Sequence, residues 1–199
     1  MKILPVALML ALSVPAPATA LVIEGTTGDD SIVGTDAADV ITGLEGDDLI
    51  RSGRGADTVR GGDGADVIYL GRNPLLEGPT GDLAYGGRGA DVIFGEHGFD
   101  ILAGNPGDDV LVGGAGYNTL EDGRGDDVLL GGSAGGDTVY LGPGEDWVDL
   151  GADSDALFVG VDGKADVVFC GPGKDAVYHG PAIDPADEFH GCETFMPHP

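Results

Sequence analysis

The sequence is poor in basic residues, in aromatic residues and in cysteine. Lysine and arginine together number 9, against 35 aspartate and glutamate residues, so the formal net charge of the 199 residues is −26. A chain this acidic repels a phosphate backbone, which excludes a nucleic-acid-binding protein. Aromatic residues make up 6% of the chain while glycine contributes 38 residues, so an ordinary globular core is not expected.

Several functional motifs are also missing. The four histidines, at positions 97, 179, 190 and 198, form no H-E-x-x-H zinc motif, and there is no G-x-S-x-G nucleophile elbow. No apolar run beyond the N-terminal segment approaches the length of a membrane span. Glycine does not recur at every third residue, as a collagen helix requires. We therefore expect no enzyme, no membrane span and no collagen helix.

Residues 1–20 have the organisation of a secretory signal peptide. Lys2 is the positive start, residues 3–14 form an apolar run, and Ala18-Thr19-Ala20 is an A-x-A cleavage site. The apolar run is too short to cross a bilayer. We therefore predict a secreted, extracellular protein that is cleaved after Ala20.

A nine-residue repeat dominates the rest of the chain. Fifteen units align between residues 25 and 178, among them GLEGDDLIR at 43–51 and GGRGADVIF at 86–94. Glycine favours positions 1, 2 and 4, aspartate holds position 6 in all but one unit, and an aliphatic residue holds position 8. These units resemble the G-G-x-G-x-D-x-U-x repeat of the RTX, or haemolysin-type, calcium-binding family.

The repeat predicts an all-β fold, a parallel β-roll (β-solenoid), over residues 21–178. Each unit divides into a six-residue turn, in which glycine permits a positive φ, and a three-residue strand. Two units make one coil, so consecutive strands fall on opposite sheets and coils stack about 4.8 Å apart. The aliphatic residue at position 8 is expected to point inward and form the core.

This stacking places the sixth-position aspartates in two columns, one at each edge of the roll. The first column is predicted to contain Asp30, Asp48, Asp66, Asp91, Asp109, Asp127, Asp146 and Asp166. The second column is predicted to contain Asp39, Asp57, Asp100, Asp137, Asp155 and Asp175. Like charges at this spacing disfavour folding by roughly a few kcal/mol per neighbouring pair. One inward aliphatic residue per unit makes a thin core that does not offset this repulsion.

A hard divalent cation would remove the conflict. Calcium takes six to eight oxygen ligands from carboxylates and backbone carbonyls, whereas magnesium demands a tight octahedron and zinc prefers cysteine and histidine. The resemblance implies several calcium ions lodged between the turns of stacked coils. The alternative is that these aspartates are solvated turn formers. The predicted calcium ligands are Asp30, Asp48, Asp57, Asp66, Asp91, Asp100, Asp109, Asp127, Asp137, Asp146 and Asp175.

Some units depart from the pattern. Asn118 stands where aspartate is expected, so that turn loses a charge. Three units lack the glycine at position 4, and their aspartates are left out of the predicted ligand set: Asp39, Asp155 and Asp166. Residues 70–85 contain two prolines and predict a loop inserted near 70–80, then a shortened unit with Asp82 at its sixth place. The insertion leaves open whether the two columns keep their alternation downstream.

The two cysteines, Cys170 and Cys192, are expected to form a disulfide because a secreted protein meets an oxidising environment. The last coil of a parallel stack has exposed edges, so residues 179–199 are predicted to be a capping tail. The ending DVVFCGPGKDAV, followed by a distal Cys-Glu, resembles stand-alone secreted RTX-repeat proteins of actinobacteria.

Positions 7 and 9 of each unit should point outward, and on one sheet they form an apolar stripe. Such surfaces often mark interfaces, which predicts self-association or contact with an envelope or polysaccharide surface. Two alternatives are β-propensity alone and cover by Leu75 and Leu76 of the inserted loop. The predicted function is calcium binding coupled to folding, and the alternative is a non-catalytic adhesive or matrix module. The stripe comprises Leu49, Val67, Val92, Val110, Val128, Trp147, Val167, Tyr69, Phe94, Val112, Leu130 and Phe169.

Overall fold

The computed structural model describes residues 18–72 and 81–198. Residues 1–17 of the predicted signal peptide lie outside this description. So do residues 73–80 of the predicted inserted loop, including Leu75 and Leu76. No helix long and apolar enough to cross a membrane occurs among the described residues.

The described residues form β-strands separated by short turns. The first ten strands are β1 (Val22–Glu24), β2 (Ser31–Val33), β3 (Val40–Glu45), β4 (Leu49–Arg51), β5 (Thr58–Asp63), β6 (Val67–Tyr69), β7 (Leu83–Arg88), β8 (Val92–Phe94), β9 (His97–Gly98) and β10 (Ile101–Pro106). The next ten are β11 (Val110–Gly116), β12 (Thr119–Arg124), β13 (Val128–Ala134), β14 (Thr138–Tyr140), β15 (Trp147–Gly151), β16 (Ala156–Val159), β17 (Val167–Phe169), β18 (Ala176–His179), β19 (Glu188–His190) and β20 (Thr194–Pro197).

These strands make two sheets in which every pairing is parallel. The first sheet has the order β1-β3-β5-β7-β10-β12-β14-β16-β18-β20. The second has the order β2-β4-β6-β8-β11-β13-β15-β17-β19, with β9 paired beside β11. The chain crosses between the sheets at almost every turn, because a six-residue turn reverses direction and delivers the next strand to the opposite face. The predicted all-β parallel β-roll is confirmed.

The register of the strands aligns the eighth positions of successive coils. Ile50 pairs with Ile68 in the second sheet, and Leu102 pairs with Leu120 in the first. Because side chains alternate along a strand, this register points every eighth residue into the space between the sheets. These buried residues form the core: Ile32, Ile41, Ile50, Val59, Ile68, Ile93, Leu102, Leu111, Leu120, Leu129, Val139, Val148, Leu157, Val168 and Val177.

The first position of the unit also faces inward, which the sequence pattern did not reveal because glycine usually occupies it. Leu70, Leu150 and Cys170 replace that glycine, and all three are fully buried. Ala84 takes the eighth position in the shortened unit after the insertion and is buried as well. The core is therefore wider where an apolar side chain takes position 1.

Close contact between coils explains the glycines of the turns. Gly64, at position 4, has a φ of +147°, in the region that disfavours side chains. A Cβ atom built on Gly64 would also overlap the carbonyl oxygen of Gly46 in the neighbouring coil. Glycine is required there both by the backbone conformation and by the approach of the next turn.

Both sheets continue past residue 178. Strand β18 ends at His179, while β19 and β20 lie wholly within the segment 179–199 and extend the second and first sheets. That segment thus supplies one more coil, and its action as a cap remains a prediction. The predicted disulfide is confirmed: Cys170 and Cys192 are bonded, with Cα atoms 5.1 Å apart.

The outer face of the second sheet carries the predicted apolar stripe. Most of its side chains are half-buried, because each lies against its neighbours in the adjacent coils. Trp147 and Phe169 are the exceptions, with 38% and 37% of their surfaces exposed. Self-association through this stripe remains a prediction.

Candidate calcium site

Two columns of acidic side chains run the length of the roll, at opposite edges. The first column is Asp30, Asp48, Asp66, Asp91, Asp109, Asp127, Asp146, Asp166 and Asp187. The second column is Asp39, Asp57, Asp82, Asp100, Asn118, Asp137, Asp155, Asp175 and Glu193. The alternation between edges continues through the insertion, because Asp82 takes its place in the second column.

One oxygen of each carboxylate ties neighbouring coils together. The backbone N–H of Asp109 donates to Oδ1 of Asp127 at 2.6 Å, and the same contact joins successive members of each column. Across the insertion, the N–H of Asp57 donates to Oδ1 of Asp82 at 2.7 Å, although the two residues are separated by 25 positions instead of 18. Charge-assisted bonds of this kind are stronger than neutral ones, so the column is part of the stacking interaction.

In most members of the columns, the other carboxylate oxygen has no hydrogen-bond partner. It is buried, and burying a polar atom without a partner is unfavourable, so a proton or a cation is needed to compensate it. Among the described residues, the sixth-position side chains with a buried, unpaired Oδ2 are Asp48, Asp57, Asp66, Asp91, Asp100, Asp109, Asp127, Asp137, Asp146, Asp155 and Asp175.

The space beside these oxygens is lined by further oxygen atoms. A Cβ atom built on Gly95, at position 1 of its unit, would lie 2.9 Å from Oδ2 of Asp100 and 2.5 Å from the carbonyl oxygen of Gly113 in the next coil. The glycine therefore leaves open a small space between a carboxylate and a carbonyl. A donor set made only of oxygen suits calcium, which prefers carboxylate and carbonyl ligands, and does not suit zinc.

Burial raises the pKa of most carboxyl groups in the columns, so these groups ionise less readily than exposed aspartates. Burial raises the pKa of Asp91 to about 7; a backbone hydrogen bond opposes the rise, and the charges of Asp109 and Asp66 add to it. Burial likewise raises the pKa of Asp146 to about 8, with Asp122 the first of the neighbouring charges that contribute. A divalent cation bound beside these groups would favour the ionised form and remove the conflict.

The structure brings ten of the eleven predicted ligands into one repeated environment. Asp30 differs: it is half-buried in the first coil, and its Oδ2 accepts hydrogen bonds from the N–H and the hydroxyl of Thr26, at 2.6 and 2.9 Å. The aspartates left out of the prediction lie in the same columns. Asp155, for example, donates its N–H to Oδ1 of Asp175 at 3.0 Å, so glycine at position 4 is not needed for this contact.

Sequence reasoning missed three acidic residues at the columns. Asp187 and Glu193 extend them into the last coil, and the segments DEFH (187–190) and ETFM (193–196) carry the same acid-x-apolar-x pattern as the repeat. Asp122 is the third. It occupies position 1, where glycine is usual, and is 1% exposed. Because Asp122 lies outside the sixth-position consensus, the repeat pattern gave no sign that it lies beside Asp127 and Asp146 of the first column.

Asn118 occupies the place of an aspartate in the second column, but it carries an uncharged amide group. Its Oδ1 accepts the N–H of Asp100 at 3.1 Å, as an aspartate oxygen would. Its Nδ2, a donor, is buried without a partner in the place where other members have an acceptor oxygen. This turn therefore keeps the stacking contact and has one carboxylate oxygen fewer to offer a cation than the other turns.

Comparison with known families agrees with this geometry. The family model of the RTX calcium-binding nonapeptide repeat (4 copies) matches residues 24–59, 42–73, 78–111, 103–134 and 132–157. The chain belongs to the RTX calcium-binding repeat family. No curated protein matches it. In this RTX chain the matched residues end at 157, whereas both columns extend into the last coil, to Asp187 and Glu193.

Proposed function

We propose that this RTX-repeat chain is a secreted calcium-binding protein in which several calcium ions bind between stacked turns and drive folding. The observation that carries the proposal is the row of buried Oδ2 atoms without a hydrogen-bond partner, repeated from Asp48 to Asp175. Each of these oxygens lies on a side chain whose Oδ1 already accepts a backbone hydrogen bond from the neighbouring coil. A cation that binds Oδ2 would therefore supply this oxygen with the partner that no hydrogen bond provides.

Coupling of binding to folding follows from where the ligands lie. The columns exist only when the coils stack, so the unfolded chain has no preformed site, and binding free energy becomes folding free energy. Without a cation, the stacked carboxylates must either take up protons or repel one another. The core adds about one large apolar side chain per turn, which is little to oppose that cost.

Secretion is supported by two features. Residues 1–20 have the pattern of a signal peptide, and the Cys170–Cys192 disulfide is typical of proteins that mature in oxidising compartments. Extracellular calcium sites typically operate at dissociation constants of about 10⁻⁴ to 10⁻³ M. We expect the chain to remain largely unfolded in a calcium-poor cytosol and to fold after export.

Circular dichroism tests the coupling directly. The chain from residue 21 onward, purified in EGTA, should give a largely unfolded far-UV spectrum, and millimolar CaCl₂ should produce a β-sheet spectrum and a cooperative melting transition. Magnesium at the same concentration should produce little change, because it retains its waters. A native β-sheet spectrum with an unchanged melting temperature in EGTA would refute the proposal. Calorimetric titration would give the number of ions.

A second candidate function, binding of a neutral polysaccharide, is favoured by an exposed aromatic row on the second sheet. Trp147 lies 5.7 Å from Phe169, and Phe169 stacks on His190 at 4.6 Å, between ring centroids. These rings line an open hollow of about 610 Å³ together with the carboxylate of Asp149. Flat rings beside polar groups suit the apolar faces and hydroxyls of sugars, while a net charge of −26 disfavours acidic polymers.

Co-sedimentation of the calcium-saturated protein with neutral and with acidic insoluble polysaccharides tests this candidate. Trp147→Ala should abolish retention on the neutral polymer. Tyr140→Ala removes an equally exposed ring from the first sheet, where it stacks on Phe158, and should leave retention intact. Equal retention of both variants, or no retention of the wild type, would exclude the function. Sedimentation velocity on the same samples would reveal self-association.

A further inference from the structure

Asp122 is an exception among the first-position residues of the nine-residue units that form the first column. In the preceding units of this column the residue is glycine, and a Cβ atom built on it would point at Oδ2 of the aspartate in its own unit. Gly104 illustrates this, because its Cβ would collide with Oδ2 of Asp109. At position 122 the chain places a carboxylate in that direction.

Only one of the two carboxylate oxygens of Asp122 has hydrogen-bond partners. Its Oδ1 accepts hydrogen bonds from the N–H groups of Gly123 and Gly142, at 2.6 and 2.7 Å. Its Oδ2 is buried and has no hydrogen-bond partner. With 1% of its surface exposed, Asp122 cannot turn this oxygen to solvent without leaving its place.

Three carboxylates, each with one unpaired oxygen, converge at this point. One oxygen each of Asp122, Asp127 and Asp146 lies within 4.8 Å of the others, and these three side chains are the one such cluster among the residues that the structure describes. Each of the three has a buried Oδ2 without a partner. Calcium–oxygen distances are about 2.3–2.6 Å, so ligands on opposite sides of one ion lie about 5 Å apart. The cluster is therefore compact enough for a single cation to contact all three groups.

We propose that Asp122, Asp127 and Asp146 form a three-carboxylate cation site that binds calcium more tightly than the other turns of the roll and fills first. The inference rests on the proposed function, since Asp127 and Asp146 are members of the first column. It adds a ligand from outside the repeat consensus and a rank order among the sites. An extra anionic ligand raises the affinity of an oxygen site for calcium, and it raises the affinity for a trivalent lanthanide further.

Terbium titration can follow this site selectively. Trp147 is the only tryptophan in the chain and directly follows Asp146, so terbium bound here should be sensitised by tryptophan excitation. We expect Asp122→Asn to weaken the tightest step of the terbium titration, and of a calcium titration by calorimetry, by at least about tenfold. The later steps should keep their affinities and their stoichiometry.

Two further variants control for charge and for folding. Glu121→Gln removes the same charge from an exposed neighbour outside the cluster and should leave the tightest step unchanged. Asp122→Gly restores the usual residue of the repeat, so it should fold in calcium and reproduce the loss seen with Asp122→Asn. If the Asp122 variants fold in calcium and titrate like Glu121→Gln, the inference is wrong while the proposed function stands. If the wild type binds neither ion, the proposed function itself fails.

Discussion

The backbone N–H of Asp91 donates a hydrogen bond to Oδ1 of Asp109 over 2.8 Å, although the two residues belong to different coils. The remaining oxygen of Asp109 is buried and has no hydrogen-bond partner. Oδ1 of the carboxylate therefore holds neighbouring coils together, and Oδ2 is available for a cation. Because both atoms belong to one side chain, substitutions can separate the structural contribution of a column residue from its contribution to binding.

The first prediction concerns pH. Burial raises the folded-state pKa of Asp66 to about 6, of Asp91 to about 7 and of Asp146 to about 8, above the ordinary value of 3.8. A carboxyl group with a raised pKa stabilises the fold fully below its unfolded pKa, and this contribution is lost as pH rises through the folded pKa. In calcium-stripped buffer, the β-sheet signal of the far-UV spectrum should therefore weaken as the pH rises from about 5 to about 8. An equal or stronger β-sheet signal at the upper pH would contradict the prediction.

The second prediction separates charge from hydrogen bonding at Asp91. Asp91→Asn can keep the Oδ1 acceptor for the N–H of Asp66, 2.8 Å away, but loses the charge. It should weaken calcium binding and increase the residual β-sheet signal in EGTA. Asp91→Ala should weaken calcium binding and decrease that signal, because it also leaves that N–H without its acceptor, at a cost of about 1–3 kcal/mol.

The matched control for both variants is Asp63→Asn. That exposed carboxylate pairs with Arg88 at 3.7 Å on the surface. A surface pair of this kind contributes little, so the control should titrate and melt like the wild type. Identical behaviour of Asp91→Asn and Asp91→Ala would argue against two distinct roles for the two oxygens.

The third prediction restores a missing charge. Asn118→Asp should raise calcium affinity in the second column by about tenfold at one site, because it replaces a buried amide nitrogen with an acceptor oxygen. The same change should decrease the residual β-sheet signal in EGTA, since it adds a buried charge beside Asp137. Asn105→Asp makes the same substitution outside the columns and should leave calcium affinity unchanged. Calorimetry and circular dichroism on the wild type and these two variants would test the prediction.

The fourth prediction concerns the disulfide. The Cys170–Cys192 bond spans a sequence separation of 22, and closing a loop of this size stabilises a fold by about 3 kcal/mol. Cys192→Ser should lower the stability of the calcium-saturated protein by about this amount. Hydrogen exchange should show β19 and β20 losing protection first, because they form the last coil. Reductant should reproduce the effect in the wild type and add nothing to the variant.

Much of the architecture could be predicted because the repeat is local. A turn of fixed length followed by an x-U-x strand reverses the chain in the same way each time, so the order of both aspartate columns followed from counting as far as the insertion. Beyond the insertion, the place of Asp82 in the second column decided the alternation. The locations of residues that deviate from the consensus were harder to predict. Leu70, Leu150 and Cys170 at position 1 gave no sign of joining the core, because the direction of that position is visible only in three dimensions.

The nine-residue period was enough to predict the parallel roll, the eighth-position core and the two rows of aspartate, because it imposes one conformation on every unit. The atoms that meet between coils 18 or more residues apart are defined by the folded chain. The fold left one carboxylate oxygen without a partner in turn after turn, brought Asp122 against Asp127 and Asp146, and extended both columns to Asp187 and Glu193. Those contacts depend on how successive coils stack, and the pattern within a single unit does not specify that stacking.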